Sequence, residues 1–112
     1  MTADTLSRLA ETIHSRRAAE SGASYTRQLL DAGAEKCARK FGEEALEAVI
    51  AGVAGDTNQV IAEAADVLFH LLVLLEARGI AFAEVTRTLE DRMGTSGLAE
   101  KAGRGASAAE NS

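Results

Sequence analysis

Two short stretches of this 112-residue chain carry acids at spacings that could do chemistry. The first is Glu44-x-x-Glu47, preceded directly by Glu43, and the second is Glu63-x-x-Asp66. Steps of three and four residues keep side chains on one face of a helix. If two helices carrying these stretches pack antiparallel across a short turn at 54–57, the acidic pairs face each other. Four carboxylates gathered in this way repel, and a divalent cation relieves the repulsion. Oxygen donors with no cysteine and no required histidine suit Mg²⁺ or Mn²⁺. The alternative is two ordinary solvated faces with ion pairs such as Lys40–Glu44. A carboxylate-bridged di-iron bundle would use Glu-x-x-His on two helices. The nearby histidine here, His70, follows Asp66 by four and Glu63 by seven, and the helix of Glu44 has none.

No serine, threonine or cysteine stands out as an activated nucleophile, so metal-activated water is the simpler reagent. The fitting target is a phosphate chain. Lys36, Arg39 and Lys40 lie just before the first acidic pair and could hold phosphate charge. There is no Gly-x-x-x-x-Gly-Lys loop, so recognition would rest on metal and side chains. The formal net charge of −5 argues against non-specific nucleic-acid binding. Cys37 is the single cysteine and reads as a small buried apolar residue.

The elements that must position these residues are helices. Hydrophobic residues make up 46% of the chain, aromatics only 4%, and proline is absent, a balance that favours long helices and an aliphatic core. Apolar periodicity predicts a first helix at about 4–19, broken at Ser21-Gly22. Ser24 caps a short second helix that Gly33 ends. A third spans about 35–53, closed by Gly52 and Gly55. Asp56 with Gln59 forms a capping box for a fourth helix reaching about 78, with Gly79 as its C′ residue. Phe82, Val85, Leu89 and Met93 mark a fifth. Residues 1–94 form the domain, and 95–112 read as a flexible tail. From Ile61 to Leu75 the only polar residues are Glu63, Asp66 and His70. A helix apolar nearly all round must be buried nearly all round. The expectation is an all-α homodimer in which the third and fourth helices pack at the interface. The longest apolar run is too short to span a bilayer and no signal peptide is evident; the expected location is the cytoplasm.

Lys40-x-x-Glu43-Glu44-x-x-Glu47, then fifteen residues, then Glu63-x-x-Asp66, resembles the signature of the all-α, MazG-like nucleoside triphosphate pyrophosphohydrolases. Ser24-Tyr25-Thr26 with Leu29-Leu30, the segments 36–47 and 63–75, Arg78-Gly79-Ile80 and the tail at 94–101 are more specific. They resemble the phosphoribosyl-ATP pyrophosphohydrolase family of histidine biosynthesis. That resemblance implies Mg²⁺-dependent cleavage between the α and β phosphates of 1-(5-phosphoribosyl)-ATP by an obligate dimer. It also implies metal binding by Glu44, Glu47, Glu63 and Asp66, with Glu43 as an accessory acid that orients water. Tyr25 divides between core packing and a substrate contact, and His70 between a structural role and support of the site. Arg27, Lys36 and Arg39 are candidates for the second ribose phosphate. Segment 18–23 departs from the pattern, because a proline-containing run is expected there. A house-cleaning hydrolase of non-standard nucleoside triphosphates and a non-catalytic helical dimerisation module are the competing readings.

Overall fold

The computed structural model describes residues 2–18 and 24–94. These residues are all-α: α1 (Thr2–Ser15) continues as a 3-10 turn (Arg16–Ala18), followed by α2 (Tyr25–Ala32), α3 (Ala34–Ala54), α4 (Thr57–Ala77) and α5 (Phe82–Gly94). The expected break at Ser21-Gly22, the missing proline at 18–23 and the tail at 95–112 fall on or run into segments outside the described residues.

The helix ends follow their local chemistry. The Ser24 hydroxyl accepts the Arg27 backbone N–H at 3.1 Å and caps α2. Gly33 ends α2 at φ +98°, a conformation a side chain would strain. At α4 the Asp56 carboxylate accepts the Gln59 N–H at 2.9 Å, and the Gln59 amide oxygen accepts the Asp56 N–H at 2.8 Å. The reciprocal capping box is complete. Gly79, at φ +71°, donates its N–H to the Glu76 carbonyl, and Ile80 donates to Leu75. Together these make a Schellman end. Two boundaries differ from expectation. Gly52 does not close α3, which runs on to Ala54; a glycine inside a helix costs about 1 kcal/mol relative to alanine, and the long packed α3–α4 pair tolerates it. The first helix starts earlier, at Thr2, and tightens into the 3-10 turn after Ser15.

The chain forms two units, one ending at Phe82 and one beginning at Ala83. In the first, α3 and α4 make a hairpin through Gly55 and Asp56, and α1 and α2 pack against α4. Its buried core is Ile13, Leu29, Leu30, Cys37, Leu72 and Val73, flanked by Leu6, Leu9, Phe69, Leu75 and Phe82. Cys37 is packed as expected, with its thiol directed to the Leu29 carbonyl at 3.2 Å. Burial raises its pKa, which suppresses the nucleophilic thiolate. Arg17 and His14 both bind the Glu76 carboxylate, and Arg27 donates to the Arg17 carbonyl at 2.7 Å. The α1 end, the start of α2 and the last turn of α4 are tied together in this way. The second unit is described through α5, where Glu84 pairs with Arg87 at 3.3 Å and Leu89 and Met93 are exposed.

The far half of the hairpin differs from the near half. Leu46, Val49, Ile50 and Val53 of α3 and Ile61 and Leu68 of α4 are exposed, Val53 to 85%. Within one chain, the sequence demand that α4 be buried nearly all round is met only from His70 onward.

Candidate active site

The acids meet where the hairpin passes from its buried to its open half. The carboxylates of Glu44 on α3 and of Glu63 and Asp66 on α4 each offer an oxygen, and these oxygens lie within 4.8 Å of one another. The two helices cross at this level because the two-residue turn sets their register. Residues eleven before Gly55 and eight to eleven after it therefore face each other. Glu44 and Glu63 are part-buried and Asp66 is exposed.

Glu63 is the strained member. Its Oε1 is buried without a hydrogen-bond partner among the described residues. Its pKa is raised, first by burial and then by the charges of Glu47, Asp66 and Glu44. A buried carboxylate oxygen with no donor is costly, and a cation would satisfy it. Exposed acidic groups are common on proteins; a three-carboxylate group in which one member has an orphaned buried oxygen is a stronger sign of a cation site. Glu47 does not join the tight group. It acts on Glu63 through its charge, and both line one open cleft of about 370 Å³ at the turn end of the hairpin. Ile50, Ala51, Ala54, Gly55 and Gln59 form the rest of that cleft. None of these five was singled out as a site residue from sequence, although the capping box already fixed Gln59 at this turn.

Lys40 sits on the rim. Its ammonium is 3.5 Å from Glu43 and 3.8 Å from Glu44. Its pKa is raised by Tyr25 first; burial opposes the shift, and Glu43 and Glu44 reinforce it. The ammonium is thereby held charged. On α2 and α4, Tyr25 Oη lies 3.4 Å from His70 Nε2, and His70 Nδ1 lies 2.9 Å from the Asp66 backbone carbonyl. His70 is 7% exposed and Tyr25 53%. Phe69 meets the His70 ring edge-on at a centroid distance of 5.0 Å.

The other basic candidates stand differently. Arg39 pairs with Glu35 at 3.1 Å on an exposed face. Arg27 is occupied by Asp31 at 2.8 Å and by the Arg17 carbonyl. Lys36 is exposed. Thus the structure gathers Glu43, Glu44, Glu63, Asp66, Lys40, Tyr25 and His70, keeps Glu47 at the border, and holds Arg27 and Arg39 in local ion pairs.

Comparison with known proteins identifies the family. The sequence profile described as phosphoribosyl-ATP pyrophosphohydrolase matches residues 6–93. A phosphoribosyl-ATP pyrophosphatase of Cereibacter sphaeroides is 58% identical over 100 residues, covering 89% of this chain and 97% of the relative. Phosphoribosyl-ATP pyrophosphatase 1 of Bradyrhizobium diazoefficiens is 59% identical, covering 89% and 94%. The Rhodobacter capsulatus enzyme of the same name is 54% identical, covering 89% and 97%. With a profile match and relatives of this closeness spanning nearly the whole chain, the protein is a hydrolase that belongs to the phosphoribosyl-ATP pyrophosphohydrolase family.

Proposed function

We propose that this chain hydrolyses the α–β phosphate anhydride of 1-(5-phosphoribosyl)-ATP to phosphoribosyl-AMP and pyrophosphate, the second step of histidine biosynthesis. It does so as a cytoplasmic homodimer with Mg²⁺, which Mn²⁺ can replace. The observation that carries this reading is the convergence of carboxylate oxygens of Glu44, Glu63 and Asp66, in a group where Glu63 also has a buried oxygen with no hydrogen-bond partner among the described residues. That donor set fits a hard divalent cation. Glu44, Glu63 and Asp66 would hold it, with Glu47 as a further carboxylate from the cleft side. When bound, the cation supplies charge neutralisation for the phosphate chain and acidifies water.

The protein side chains do the remaining work. Glu43 orients the attacking water and takes up its proton. The water oxygen bonds to phosphorus as the anhydride P–O bond breaks, and the bonding pair leaves on the departing phosphate. Lys40, kept protonated at the rim, attracts phosphate oxygens, and Lys36 extends the positive charge along the same helix. Arg39 and Arg27 reach substrate only by leaving Glu35 and Asp31.

Self-association is supported by the open half of the hairpin. Its exposed Leu, Val and Ile side chains form an apolar face of the kind that marks an interface. A second copy would cover them and meet the sequence demand that α4 be buried. No helix among the described residues is long and apolar enough to cross a membrane, so a bilayer-spanning role does not account for this face.

The deciding experiment is a substrate panel with and without excess chelator. Phosphoribosyl-ATP should be cut far faster than ATP or deoxynucleoside triphosphates, and only with metal present. Equal efficiency on a deoxynucleoside triphosphate would transfer the chain to house-cleaning of non-standard nucleotides. Full turnover in chelator would remove the cation from the scheme.

A further inference from the structure

One stripe of α3 changes character along its length. Steps of four, four, three, four and three residues place Lys36, Lys40, Glu44, Glu47, Ala51 and Ala54 on the same side of the helix. Toward the turn the stripe therefore passes from cations to acids to small apolar residues. α4 returns beside it with Gln59, Glu63 and Asp66 at steps of four and three. Oxygens of Glu44, Glu63 and Asp66 converge in the middle. On one side of that group the Lys40 ammonium stands 3.5 Å from Glu43 and 3.8 Å from Glu44. On the other side lies the cleft of about 370 Å³, which shares Glu63 with the group and takes in Glu47. The exposed Leu46, Val49 and Val53, offered for self-association, follow a different stripe, about a third of a turn away.

The cleft and the lysines suit opposite ends of a nucleotide. Ile50, Ala51 and Ala54 give the cleft aliphatic walls, with Gly55 at the turn. No lysine or arginine is among its lining residues, and Glu47 and Glu63 repel a phosphate placed there. Gln59 supplies a neutral polar group. Its Oε1 accepts the Asp56 N–H at 2.8 Å, which leaves the amide NH2 as the donor on offer. Gly55 lets this side chain lie close to the turn, since a Cβ there would stand 2.8 Å from Gln59 Oε1 and 2.9 Å from the Ala51 carbonyl oxygen. Apolar walls with one placed donor suit a flat heterocycle whose ring nitrogens accept. From Glu47 to Ala54 the stripe runs about 10 Å along the helix axis, room for a ribose and a base in line.

We infer that the nucleotide lies along this stripe in one direction: its adenine nucleoside end in the cleft beside the turn, its phosphate chain across the acidic group, and its pyrophosphate end toward Lys40 and Lys36. This rests on the proposed phosphate-cleaving role of the acidic group. The adenine ring packs on Ile50, Ala51 and Ala54, and a ring nitrogen accepts from the Gln59 amide. The α–β anhydride then falls at the acidic group, between an uncharged end and a charged one. The nucleoside monophosphate and the pyrophosphate part toward opposite ends of the stripe. Because the cleft is open, a substituent on N1 of the base projects outward, as phosphoribosyl-ATP requires.

Two arms test this on the full-length chain. The first is methyl and amide NMR with the two product halves as probes. AMP with Mg²⁺ should move the Ile50, Ala51 and Ala54 methyls and the Gln59 side-chain amide. Pyrophosphate with Mg²⁺ should move Lys36 and Lys40 and leave Ile50 and Ala54 in place. AMP that moves only the lysine end, or no cleft signal up to millimolar concentration, overturns the direction. Cleft signals that follow protein dilution and not AMP show a second copy seated there, and overturn it too. The second arm is steady-state kinetics with phosphoribosyl-ATP. Gln59→Glu keeps the acceptor of the capping box but loses the donor. It should melt like the parent and raise KM about tenfold, the scale of one lost hydrogen bond. Ala54→Leu, at an exposed position, fills the cleft and should raise KM by at least about tenfold. In both, kcat should hold, since the lost binding lies away from the reacting bond. Unchanged KM in both variants at parental melting temperature and sedimentation, or a loss confined to kcat, overturns the proposal. If either variant melts early, the AMP titration of the parent still decides. A parent that cuts no triphosphate yet shows the AMP shifts would overturn the hydrolase reading and leave the cleft as an adenine-nucleotide site.

Discussion

The two halves of α4 are made of the same kinds of residue and have opposite fates. From His70 onward, Leu72 and Val73 are sealed by α1, α2 and the start of α3, and Val73 is 1% exposed. Before it, Ile61 and Leu68 are as apolar, yet Ile61 is 62% exposed. The difference lies in what the rest of the chain supplies. α1 and α2 are too short to cover both halves of a hairpin whose arms are 21 residues each, roughly 31 Å at 1.5 Å per residue. The acidic cluster falls at the boundary, where one wall is fixed by the core and the other is left open by the rest of the chain. A hydrophobic stretch in a sequence thus states that burial is needed, and the fold decides whether the same chain provides it.

The sharpest way to break this comparison is to place one charge in each half. Leu72→Asp buries an unpaired carboxylate and should cost several kcal/mol, roughly the whole stability of a small domain. Circular dichroism should show an unfolded chain. Ile61→Asp should keep its helical signal, while sedimentation should show the proposed dimer shifted to monomer. If both variants unfold alike, the open half is as much a part of the chain's own core as the closed half, and the contrast disappears. A milder pair sharpens it: Leu72→Ala should lose about 3 kcal/mol in denaturant melts through its cavity. Leu68→Ala should lose little at low protein concentration, and should show its cost only where association contributes.

At the boundary, Glu63→Gln should lower activity at least about a thousandfold, given the several kcal/mol a cation contributes to transition-state charge. It should also raise the melting temperature of the metal-free protein, because it relieves the repulsion from Glu47, Asp66 and Glu44. Mg²⁺ should then raise the melting temperature of the parent and leave that of Glu63→Gln unchanged. A stabilisation of both by Mg²⁺ would place the cation elsewhere.

Much of this was legible in the sequence where the cause is local. Ser24, Gly33, the Asp56–Gln59 box and Gly79 each act within a few residues, and each sits where its side-chain or backbone chemistry requires. The acidic stripe was legible for the same reason, since Glu63 and Asp66 are neighbours on one helix and Glu44 follows from the turn length. Gly52 misled, because a glycine's helix-breaking tendency is weaker than the packing of a long hairpin. Arg27 and Arg39 looked free for phosphate because charge in a sequence carries no record of its partners; their i,i+4 acids, Asp31 and Glu35, occupy them. That Glu47 would stand outside the tight carboxylate group depends on side-chain directions across two helices, which spacing does not fix. The pairing of Tyr25 with His70, 45 residues apart, comes from the packing of α2 against α4, which local spacing does not record.

The smallest expected effect lies at the closed end of α4, in the Arg17–Glu76 tie. The Glu76 carboxyl is 17% exposed and accepts from both Arg17 and His14. Burial alone would raise its pKa, but these hydrogen bonds and charges outweigh burial and lower it. The sign of the pH dependence follows directly. A carboxylate whose pKa is depressed in the folded state binds its proton less readily there than in the unfolded chain, so it contributes stability wherever it is ionised. That contribution is complete above the unfolded glutamate value of about 4.3. It is lost as pH falls through the lower folded value. Glu76→Gln should therefore cost about 1 kcal/mol near neutral pH, in keeping with a part-exposed ion pair that holds two hydrogen bonds. The cost should shrink as melts are taken to progressively lower pH below about 4.3, where parent and variant converge. Arg17→Ala should show the same convergence, since it removes the other partner of the same carboxylate. A gap between parent and Glu76→Gln that stays constant down to strongly acidic pH would mean that the tie works through packing of the Arg17 stem against α4 and not through charge. The two ends of α4 would then differ only in how tightly they are packed.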